Sequence, residues 1–496
     1  MTNWQLVVGS VALGGATYLT LQRALSRPEN HAPGPAGWPL VGNTFQVPQT
    51  KIWRYFEKLG YEHGPIFRLS LAGDEILVLN DPADAEELLH RRSSNYSSRK
   101  SLVYAGHYQS QNKRLVLLPY GTELKNQRAA FYQMLQPRVI GSYERMQELE
   151  STKLLFDMLT RPLEVDMNAK RYAASLVFTL SYGKRLADDD EDLKAVIDIL
   201  DKFIQGCYPG AHLVDTFPFL DKILPDFLAP WRAEARQKHE NEMKARFLVA
   251  RLVLEVKQKV DDGRTDLECF AARLWEQQEK FNLDLVTLSY IAGSAFEAGT
   301  GATGGTILWF IMAMIMFPDA LKRAQDEVDS VVGTDGETIP TFEHLDRLPY
   351  CVALTKETFR WMPATPGGFP HYSDHDDEYK GLKIKANTMV IPCIWSMQHN
   401  PDRFPNPLTF DPERFLANGD MTSSGSSLFT EGHYGLGFGR RICPGRYLGS
   451  TSAWIGITRL IWAFNIGPAL DDAGKPIPVD PEKCTSGITS QVFLPL

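Results

Sequence analysis

The sequence predicts a mainly α-helical protein with a small β region, preceded by one N-terminal transmembrane helix. Three observations support this fold class. Residues 125–360 form successive helical segments, short strand-like runs occupy residues 66–71 and 75–80, and residues 4–21 carry no charged side chain. The 496 residues exceed the usual size of a single core, yet no change in composition divides them. We therefore expect one large catalytic domain after the N-terminal segment.

The apolar N-terminal segment favours a membrane anchor over residues 1–22. As a helix, residues 4–21 span roughly 27 Å, which is close to the thickness of the hydrocarbon core of a bilayer. A cleaved signal peptide is the competing interpretation, but the segment lacks a preceding basic region and an obvious cleavage site of small residues. Arg23 and Arg27 follow the apolar residues, so the positive-inside rule places the rest of the chain in the cytosol.

A basic and proline-rich linker is predicted between the anchor and the domain, over residues 23–43. Its prolines exclude a helix and set a stiff spacer, which determines how the domain leans on the membrane. Residues 44–496 then form the catalytic domain.

Composition and charge argue against two classes of site. With a net charge of −8 and no concentrated basic stripe, the chain is not expected to bind nucleic acid. The six cysteines are scattered without paired spacing, which indicates a reducing compartment and no zinc site. Their thiols are therefore available for other chemistry.

Cys443 is the residue that most strongly indicates a function. It lies in Gly-Phe-Gly-Arg-Arg-Ile-Cys-Pro-Gly, residues 437–445, which predicts a tight loop with close backbone approach and nearby positive charge. Such surroundings stabilise a thiolate, and thiolates bind soft metal centres, including haem iron. A purely structural cysteine is the alternative.

A second group of residues predicts a charge network. Glu357 and Arg360 are three residues apart, so they share one face of a helix and can pair. The segment 404–415 is rich in prolines and aromatic residues and places Arg414 rigidly. Arg414 is a candidate second arginine for a buried network around Glu357.

In this order and spacing, the features resemble the cytochrome P-450 family over essentially the whole chain. They are the anchor, the proline-rich linker, Glu-x-x-Arg at 357–360, Pro-Glu-Arg-Phe at 412–415 and the cysteine loop at 437–445. The resemblance implies the mainly α fold of that family, with haem b (iron protoporphyrin IX) between a long distal helix and the cysteine loop. In style, the sequence is similar to microsomal fungal members that act in secondary metabolism.

The resemblance implies a monomeric haem-thiolate monooxygenase, single-pass in the endoplasmic reticulum membrane, with its catalytic domain facing the cytosol. It would oxidise a lipophilic small molecule, such as a terpenoid or polyketide intermediate, with dioxygen and electrons from an NADPH-dependent diflavin reductase. The reductase would dock on the cysteine side, where Arg440, Arg441 and Arg446 supply positive charge. The implied pocket positions are mostly aromatic, small or aliphatic: residues 104–111, 296–300, 365–369 and 487–489.

The resemblance also assigns residues to the haem. Cys443 would be the proximal thiolate ligand of the iron and thus the metal site. The residues that would hold the haem propionates or lie beside them are Arg441, His371, Arg128 and Lys125. For Arg128 and His371, ordinary surface or core roles are the alternative.

The distal helix departs from the family pattern. The pattern Ala-Gly-x-Asp/Glu-Thr-Thr aligns with residues 298–303, where Gly301 stands in place of the acid and Ala302 in place of the first threonine. In the family, that pair relays protons to bound dioxygen. Its loss is expected to hamper ordinary monooxygenation.

Four groups can replace the missing relay. Thr303, the aligned second threonine, is the best single candidate, and Thr300 offers another hydroxyl. Glu297, one helical turn before Gly301, could donate through water, and a hydroxyl of the substrate could also complete the relay. The alternatives are a threonine hydroxyl bonded to its own helix and a structural role for Glu297.

These departures leave a second function open, a haem-thiolate protein that acts as an isomerase, a dehydratase or a ligand binder. Leu436 stands where the family usually has phenylalanine, and Leu124 where it has tryptophan. Both changes are expected to alter packing without abolishing haem binding. The chain ends soon after the last pocket segment, so we expect one terminal strand to be absent or altered.

Overall fold

The computed structural model describes residues 30–39, 41–71, 73–186, 203, 206–207, 211–263, 269–416, 429–485 and 490. The predicted anchor over residues 1–22, the linker residues 23–29 and the pocket segment 487–489 lie outside the described residues. Helices dominate the described part and the strands are short, as the sequence predicts.

Most of the helices precede residue 285 in the chain. The α-helices of this part are α1 (Ile52–His63), α2 (Pro82–Ala85), α3 (Thr122–Leu135), α4 (Pro137–Ile140), α5 (Glu144–Thr160), α6 (Val165–Tyr182), α7 (Leu213–Thr216), α8 (Phe219–Ile223), α9 (Pro230–Asp261), α10 (Phe270–Glu276) and α11 (Gln278–Phe281). The later α-helices are α12 (Leu285–Met316), α13 (Pro318–Val332), α14 (Pro349–Trp361), α15 (Ile394–Gln398) and α16 (Arg446–Ala463). Short π-helical turns cover Glu86–Arg91 and Val103–Gln109, and 3-10 turns cover Gly141–Tyr143, Asp226–Leu228, Phe342–Arg347, Pro412–Phe415 and Gly439–Arg441.

Several helix boundaries follow from residue types that suit helix ends. Pro82, Pro318 and Pro349 occupy first turns, where a backbone N–H has no partner within the helix. Asp284 caps α12 by accepting a hydrogen bond from the Thr287 backbone N–H at 2.7 Å. Gly183 ends α6 in the left-handed conformation, with φ at 66°.

The β region consists of two small sheets. In the larger sheet the strand order is β1-β2-β6-β3, and in the smaller one β4 pairs with β5. The strands are β1 (Ile66–Leu71), β2 (Asp74–Leu79), β3 (His371–Tyr372), β4 (Asp377–Tyr379), β5 (Leu382–Ile384) and β6 (Met389–Pro392). Ile66 lies opposite Leu79 in the antiparallel β1–β2 pair, and Ile76 lies opposite Met389 in the parallel β2–β6 pair. Both strand-like runs read from the sequence are thus confirmed as β1 and β2.

The long helix α12 runs through the core and crosses α6 closely. A Cβ on Gly299 would lie 2.5 Å from Val177 Cγ2, and one on Gly304 would lie 3.2 Å from the Ala169 carbonyl oxygen, so these glycines permit the crossing. By length and composition α12 is the one helix among the described residues that could span a membrane, yet 72% of its apolar window is buried inside the structure. Its apolar character therefore suits its place in the core.

The predicted network around Glu357 is confirmed. Glu357 and Arg360 are fully buried on α14, where Arg360 Nε donates to Glu357 Oε2 at 2.6 Å and Arg360 Nη2 to Oε1 at 2.7 Å. Arg414 Nε donates to Glu357 Oε1 at 3.2 Å, and the Asp411 backbone N–H donates to the same oxygen at 2.9 Å. Burial raises the pKa of Glu357, and the arginines and the backbone donor oppose that rise.

A buried glutamine joins this network to the segment before Cys443. Gln398 Nε2 donates to the carbonyl oxygens of Phe359 and Arg360 at 3.1 and 2.9 Å. Its Oε1 accepts a hydrogen bond from the Tyr434 backbone N–H at 2.7 Å. The position of the cysteine loop therefore depends on α14.

Candidate active site

The cysteine loop has a backbone that only glycine allows at two positions. Gly437 and Gly439 have φ of 77° and 53°, and a Cβ on Gly439 would lie 2.0 Å from the Leu89 carbonyl oxygen. The loop then closes when the Cys443 N–H donates to the Leu436 carbonyl oxygen at 2.9 Å. This turn leaves the side chain of Cys443 exposed.

The sequence predicts that the loop stabilises a thiolate at Cys443, whereas the structure places the side chain in surroundings that disfavour the thiolate. Part of the Cys443 side chain is accessible to solvent, but many protein atoms surround the sulfur. The resulting desolvation raises the pKa of the Cys443 thiol. The Gly445 backbone N–H, Arg128 and Arg446 lower the pKa, but by less. The protein by itself thus favours the thiol over the thiolate, and a bound metal ion would favour the thiolate.

Three arginines and a histidine converge beside the cysteine loop. Burial, followed by the charges of Arg441 and Arg128, holds the pKa of Arg99 well below its usual value. Burial and Arg128 lower the pKa of Arg441 to about 9, and burial and Arg99 depress the pKa of His371. Burial also lowers the pKa of Arg128, which lies near enough to Cys443 to interact with its charge. We call these four residues the cation cluster.

The cation cluster is held by backbone carbonyl groups. Among the described residues, no Asp or Glu forms an ion pair with its arginines. The bonds run from Arg441 Nε to Ser97 O at 2.6 Å, from Arg128 Nη2 to Ile442 O at 2.8 Å, from Arg99 Nε to Val116 O at 3.3 Å and from His371 Nδ1 to Tyr96 O at 2.7 Å.

This donor set suits a ligand with several negative charges. Guanidinium groups form strong charge-assisted hydrogen bonds with carboxylates, and the propionates of haem b are two such carboxylates on one edge of a flat molecule. A thiol that can act as an axial ligand lies next to the cluster. The residues present therefore fit haem b, with Cys443 toward the iron and the cation cluster toward the propionates.

The structure differs at two positions from the set of haem-binding residues that the resemblance implies. The structure adds Arg99, which no motif marks and which only the fold brings beside Arg128 and Arg441. Lys125 is exposed, with Nζ 4.9 Å from the centre of the Tyr120 ring. Its predicted role beside the propionates stays a prediction.

The segment 114–118 connects the cysteine loop to α12. The carbonyl oxygens of Leu115 and Leu118 accept hydrogen bonds from Arg441, while the Arg114 side chain pairs with Glu297 on α12. The segment therefore forms one wall between the two elements.

Helix α12 also crosses α16, which begins three residues after Cys443. A Cβ on Gly449 would lie 3.8 Å from Thr303 Oγ1, and one on Gly456 would lie 3.1 Å from Ile307 Cδ1. On the N-terminal side of this crossing lie residues 298–302 of α12 and Cys443, which precedes α16. The turn at 298–302 and the thiol therefore lie on the same side of the crossing.

The face of α12 that opens beside this crossing carries only small side chains. Ala298 and Ala302, one turn apart, are exposed on a helix that is otherwise largely buried, and Gly301 between them is half-buried. Thr300 and Thr303 are buried on other faces of the helix. The Thr300 hydroxyl donates to the Phe296 carbonyl oxygen at 2.8 Å. It is thus bonded to its own helix, which is the alternative to a role in proton delivery.

Glu297 lies in a buried ion-pair cluster. Arg114, which is 2% exposed, pairs with Glu297 and also donates from Nη2 to Glu242 Oε1 on α9 at 2.7 Å. The cluster joins three segments that are distant in sequence. Thr303, Thr300 and Glu297 therefore do not meet on the open face of α12, and their predicted part in proton delivery stays a prediction.

The comparisons with known proteins agree with this geometry. The family model described as Cytochrome P450 matches residues 32–489. Cytochrome P450 monooxygenase 58 of Postia placenta is 35% identical over 483 residues, which cover 96% of this chain and 89% of that protein. A cytochrome P450 monooxygenase of Armillaria gallica is 32% identical over 94% of this chain and 89% of its own length. Cytochrome P450 monooxygenase fogE of Aspergillus ruber is 33% identical over 90% of this chain and 82% of its own length.

The cysteine loop, the cation cluster that suits propionates and the match over most of the chain lead to one identification. This chain belongs to the cytochrome P450 family and is a P450 monooxygenase that takes haem b as its cofactor.

Proposed function

We propose that this monooxygenase oxidises a lipophilic small molecule of secondary metabolism, of terpenoid or polyketide type, by hydroxylation or a related oxidation. In a hydroxylation, the net reaction takes up dioxygen, two electrons and two protons, places one oxygen atom in the product and releases the other as water. In a desaturation, the same uptake removes two hydrogen atoms from the substrate and releases both oxygen atoms as water. Electrons would come from NADPH through a diflavin reductase. The observation that carries this proposal is the apolar open face of α12, at Ala298 and Ala302, on the cysteine side of the helix crossing.

Different residues of the chain would bind different parts of the cofactor. When bound, haem b supplies the binding and reduction of dioxygen. Cys443 Sγ would ligate its iron, and Arg99, Arg128, Arg441 and His371 would bind its propionates. The backbone carbonyl groups described above hold these cationic side chains. The side chains are therefore oriented before the cofactor binds, which reduces the entropy cost of binding.

The proposed reductase contact rests on basic residues near the cysteine loop. Arg440 and Lys125 are both exposed and flank the ring of Tyr120, at 5.1 and 4.9 Å from its centre. An acidic face on a reductase would be attracted to this pair, mainly with an effect on the rate of encounter.

We also propose the membrane placement that the sequence predicts. A single anchor over residues 1–22 and a stiff linker over 23–43 would hold the catalytic domain, residues 44–496, on the cytosolic side of the endoplasmic reticulum as a monomer. The uncharged stretch at residues 4–21 supports the anchor.

Family membership favours the monooxygenase over the isomerase, dehydratase or ligand binder that the sequence left open. The test is to produce the full chain in microsomes with an NADPH-dependent diflavin reductase and to compare metabolites after feeding terpenoid and polyketide panels. We expect at least one product that contains an added oxygen atom or has lost hydrogen, and that requires NADPH and the reductase. Intact haem binding without a product from any panel member would contradict the proposal.

Replacing Arg99 with methionine is expected to weaken haem retention. The change removes one guanidinium from the cation cluster, and losing a charge-assisted hydrogen bond should speed haem loss by about tenfold or more. The measurement is the rate of haem transfer to an excess of apomyoglobin.

Arg251→Met is the matched control, because Arg251 is an exposed arginine on α9 that pairs with Glu255 outside the cluster. We expect a small change in haem loss for this variant. Wild-type retention in Arg99→Met would show that Arg99 does not hold the haem.

A further inference from the structure

We propose that Arg114 is a positioning residue for the haem. Its side chain holds the segment 114–118 in the conformation in which the carbonyl groups of that segment orient Arg441 and Arg99 for the propionates. The inference requires that the protein binds haem b, but it is independent of which substrate is oxidised. It follows from the contacts on the two sides of the segment.

Three carbonyl groups of the segment 114–118 accept hydrogen bonds from two arginines of the cation cluster. The bonds run from Arg441 Nη1 to Leu115 O at 3.5 Å, from Arg441 Nη2 to Leu118 O and from Arg99 Nε to Val116 O at 3.3 Å. A guanidinium is planar and its donors have a fixed geometry, so the positions of the acceptors determine how each group is turned. A displacement of the segment would therefore turn both guanidinium groups.

The Arg114 side chain fixes the first residue of this segment to two helices. It is 2% exposed, and it donates from Nη2 to Glu242 Oε1 on α9 at 2.7 Å and from Nη1 to Glu297 on α12. Its Cζ atom lies 3.7 Å from the centre of the Phe203 ring. A buried guanidinium with two carboxylate partners has a strongly preferred position, because moving it would separate buried charges from their partners.

The Arg114 side chain and the carbonyl groups belong to one short turn. The Leu117 backbone N–H donates to the Arg114 carbonyl oxygen at 3.0 Å. A fully extended chain spans about 3.5 Å per residue, so the carbonyl groups of residues 115–118 have to stay close to Arg114. A movement of α9 or α12 away from the cysteine loop would therefore reach Arg441 and Arg99 through this turn.

A purely structural role for Arg114 is the alternative, and a second buried cluster of the same composition makes the two roles separable. Arg171 on α6 is 4% exposed and pairs with Glu150 and Asp157, both of which are fully buried on α5. This cluster joins α6 to α5 and not to the segment 114–118. Its loss should lower the stability of the fold without turning the arginines of the cation cluster.

The test compares Arg114→Lys with the matched control Arg171→Lys in the holoprotein. Lysine keeps the positive charge but lacks the planar fork, so it does not hold two carboxylates in the same geometry. We expect both variants to unfold at a lower urea concentration. Only Arg114→Lys should lose haem to apomyoglobin faster than the wild type, by about fivefold or more, because its charge-assisted hydrogen bonds to the propionates are misaligned. Wild-type haem loss in Arg114→Lys, or an equal rise in Arg171→Lys, would overturn the inference.

Combination with Arg99→Met shows whether Arg114 acts through the cation cluster. If it does, the two changes share part of their effect. The double variant should then lose haem more slowly than the product of the two single effects predicts, by about threefold or more. Arg171→Lys combined with Arg99→Met should follow the product. A purely multiplicative effect of Arg114→Lys with Arg99→Met would assign Arg114 a role separate from the cluster and would contradict the inference.

A matched change on the carboxylate side keeps the test decisive if a lysine variant does not fold. Glutamine retains an oxygen acceptor but removes the charge, so Glu242→Gln should also speed haem loss, by a smaller factor than Arg114→Lys. Glu150→Gln makes the same change in the Arg171 cluster and should leave haem loss unchanged. Equal haem loss from the two glutamine variants would refute the positioning role. These measurements need neither substrate nor reductase, so a failure of the proposed function would leave this inference standing.

Discussion

Replacing Cys443 with serine is expected to abolish reductase-dependent oxidation and to remove the thiolate signature from the haem spectrum. A serine hydroxyl is neutral at physiological pH and is a poor ligand for iron, so the electron donation of the thiolate is lost. We expect the variant to lose most of its haem on purification and to form no product. The measurements are haem content, the absorption spectrum after reduction with carbon monoxide, and product formed.

Two further variants make this result specific. Cys443→His keeps a possible ligand in the loop, so it should retain more haem than the serine variant, without the red shift that a thiolate causes. Cys484→Ser changes a half-buried cysteine outside the site and should behave like the wild type. A thiolate spectrum in Cys443→Ser would assign the ligand to a different cysteine.

Replacing Glu357 with alanine is expected to destabilise the folded protein by about 3–5 kcal/mol. The change leaves the guanidinium of Arg360 fully buried without its carboxylate, and the Asp411 N–H and Arg414 lose the same acceptor. Such a loss is a large part of a typical unfolding free energy of about 5–15 kcal/mol. We expect a lower yield of folded protein and unfolding at a lower urea concentration.

The effect should extend to the cofactor, because Gln398 connects α14 to Tyr434 before the cysteine loop. Haem loss from Glu357→Ala is therefore expected to be faster than from the wild type. Lys322→Ala, which breaks an exposed ion pair with Asp326, is the control and should leave the urea midpoint unchanged. A midpoint for Glu357→Ala equal to that of the wild type would contradict a stabilising role for the buried network.

Features that depend on short sequence spacing could be predicted from the sequence. The i, i+3 pair of Glu357 and Arg360 is one example, since helix geometry places both side chains on one face. The strands at 66–71 and 74–79 are another, because β-branched and aliphatic residues cluster there. The cysteine loop could also be predicted from the sequence, because its closely spaced glycines and its proline are typical of a tight turn.

Features that depend on distant contacts could not be predicted in the same way. Arg99 joins the cation cluster only because the fold brings it beside Arg441, which lies far along the chain. The hydrogen bonds of Arg99 go to backbone carbonyls that no motif records. The raised pKa of Cys443 likewise depends on how closely other segments surround the thiol.

The faces of α12 are an intermediate case. Ala298 and Ala302 are four residues apart, so helical geometry alone places them together and places Thr300 elsewhere. The partner of Glu297 was not predictable, since Arg114 comes from a loop whose path depends on the whole fold. Only the structure shows that the open face consists of small residues.

The central claim is that Cys443 provides the thiolate ligand of a bound haem. The most direct measurement is the absorption spectrum of the wild-type holoprotein after reduction and addition of carbon monoxide. We predict the strongly red-shifted Soret band that a thiolate ligand produces. A carbon monoxide complex whose Soret band lies where a neutral histidine ligand places it would contradict the claim.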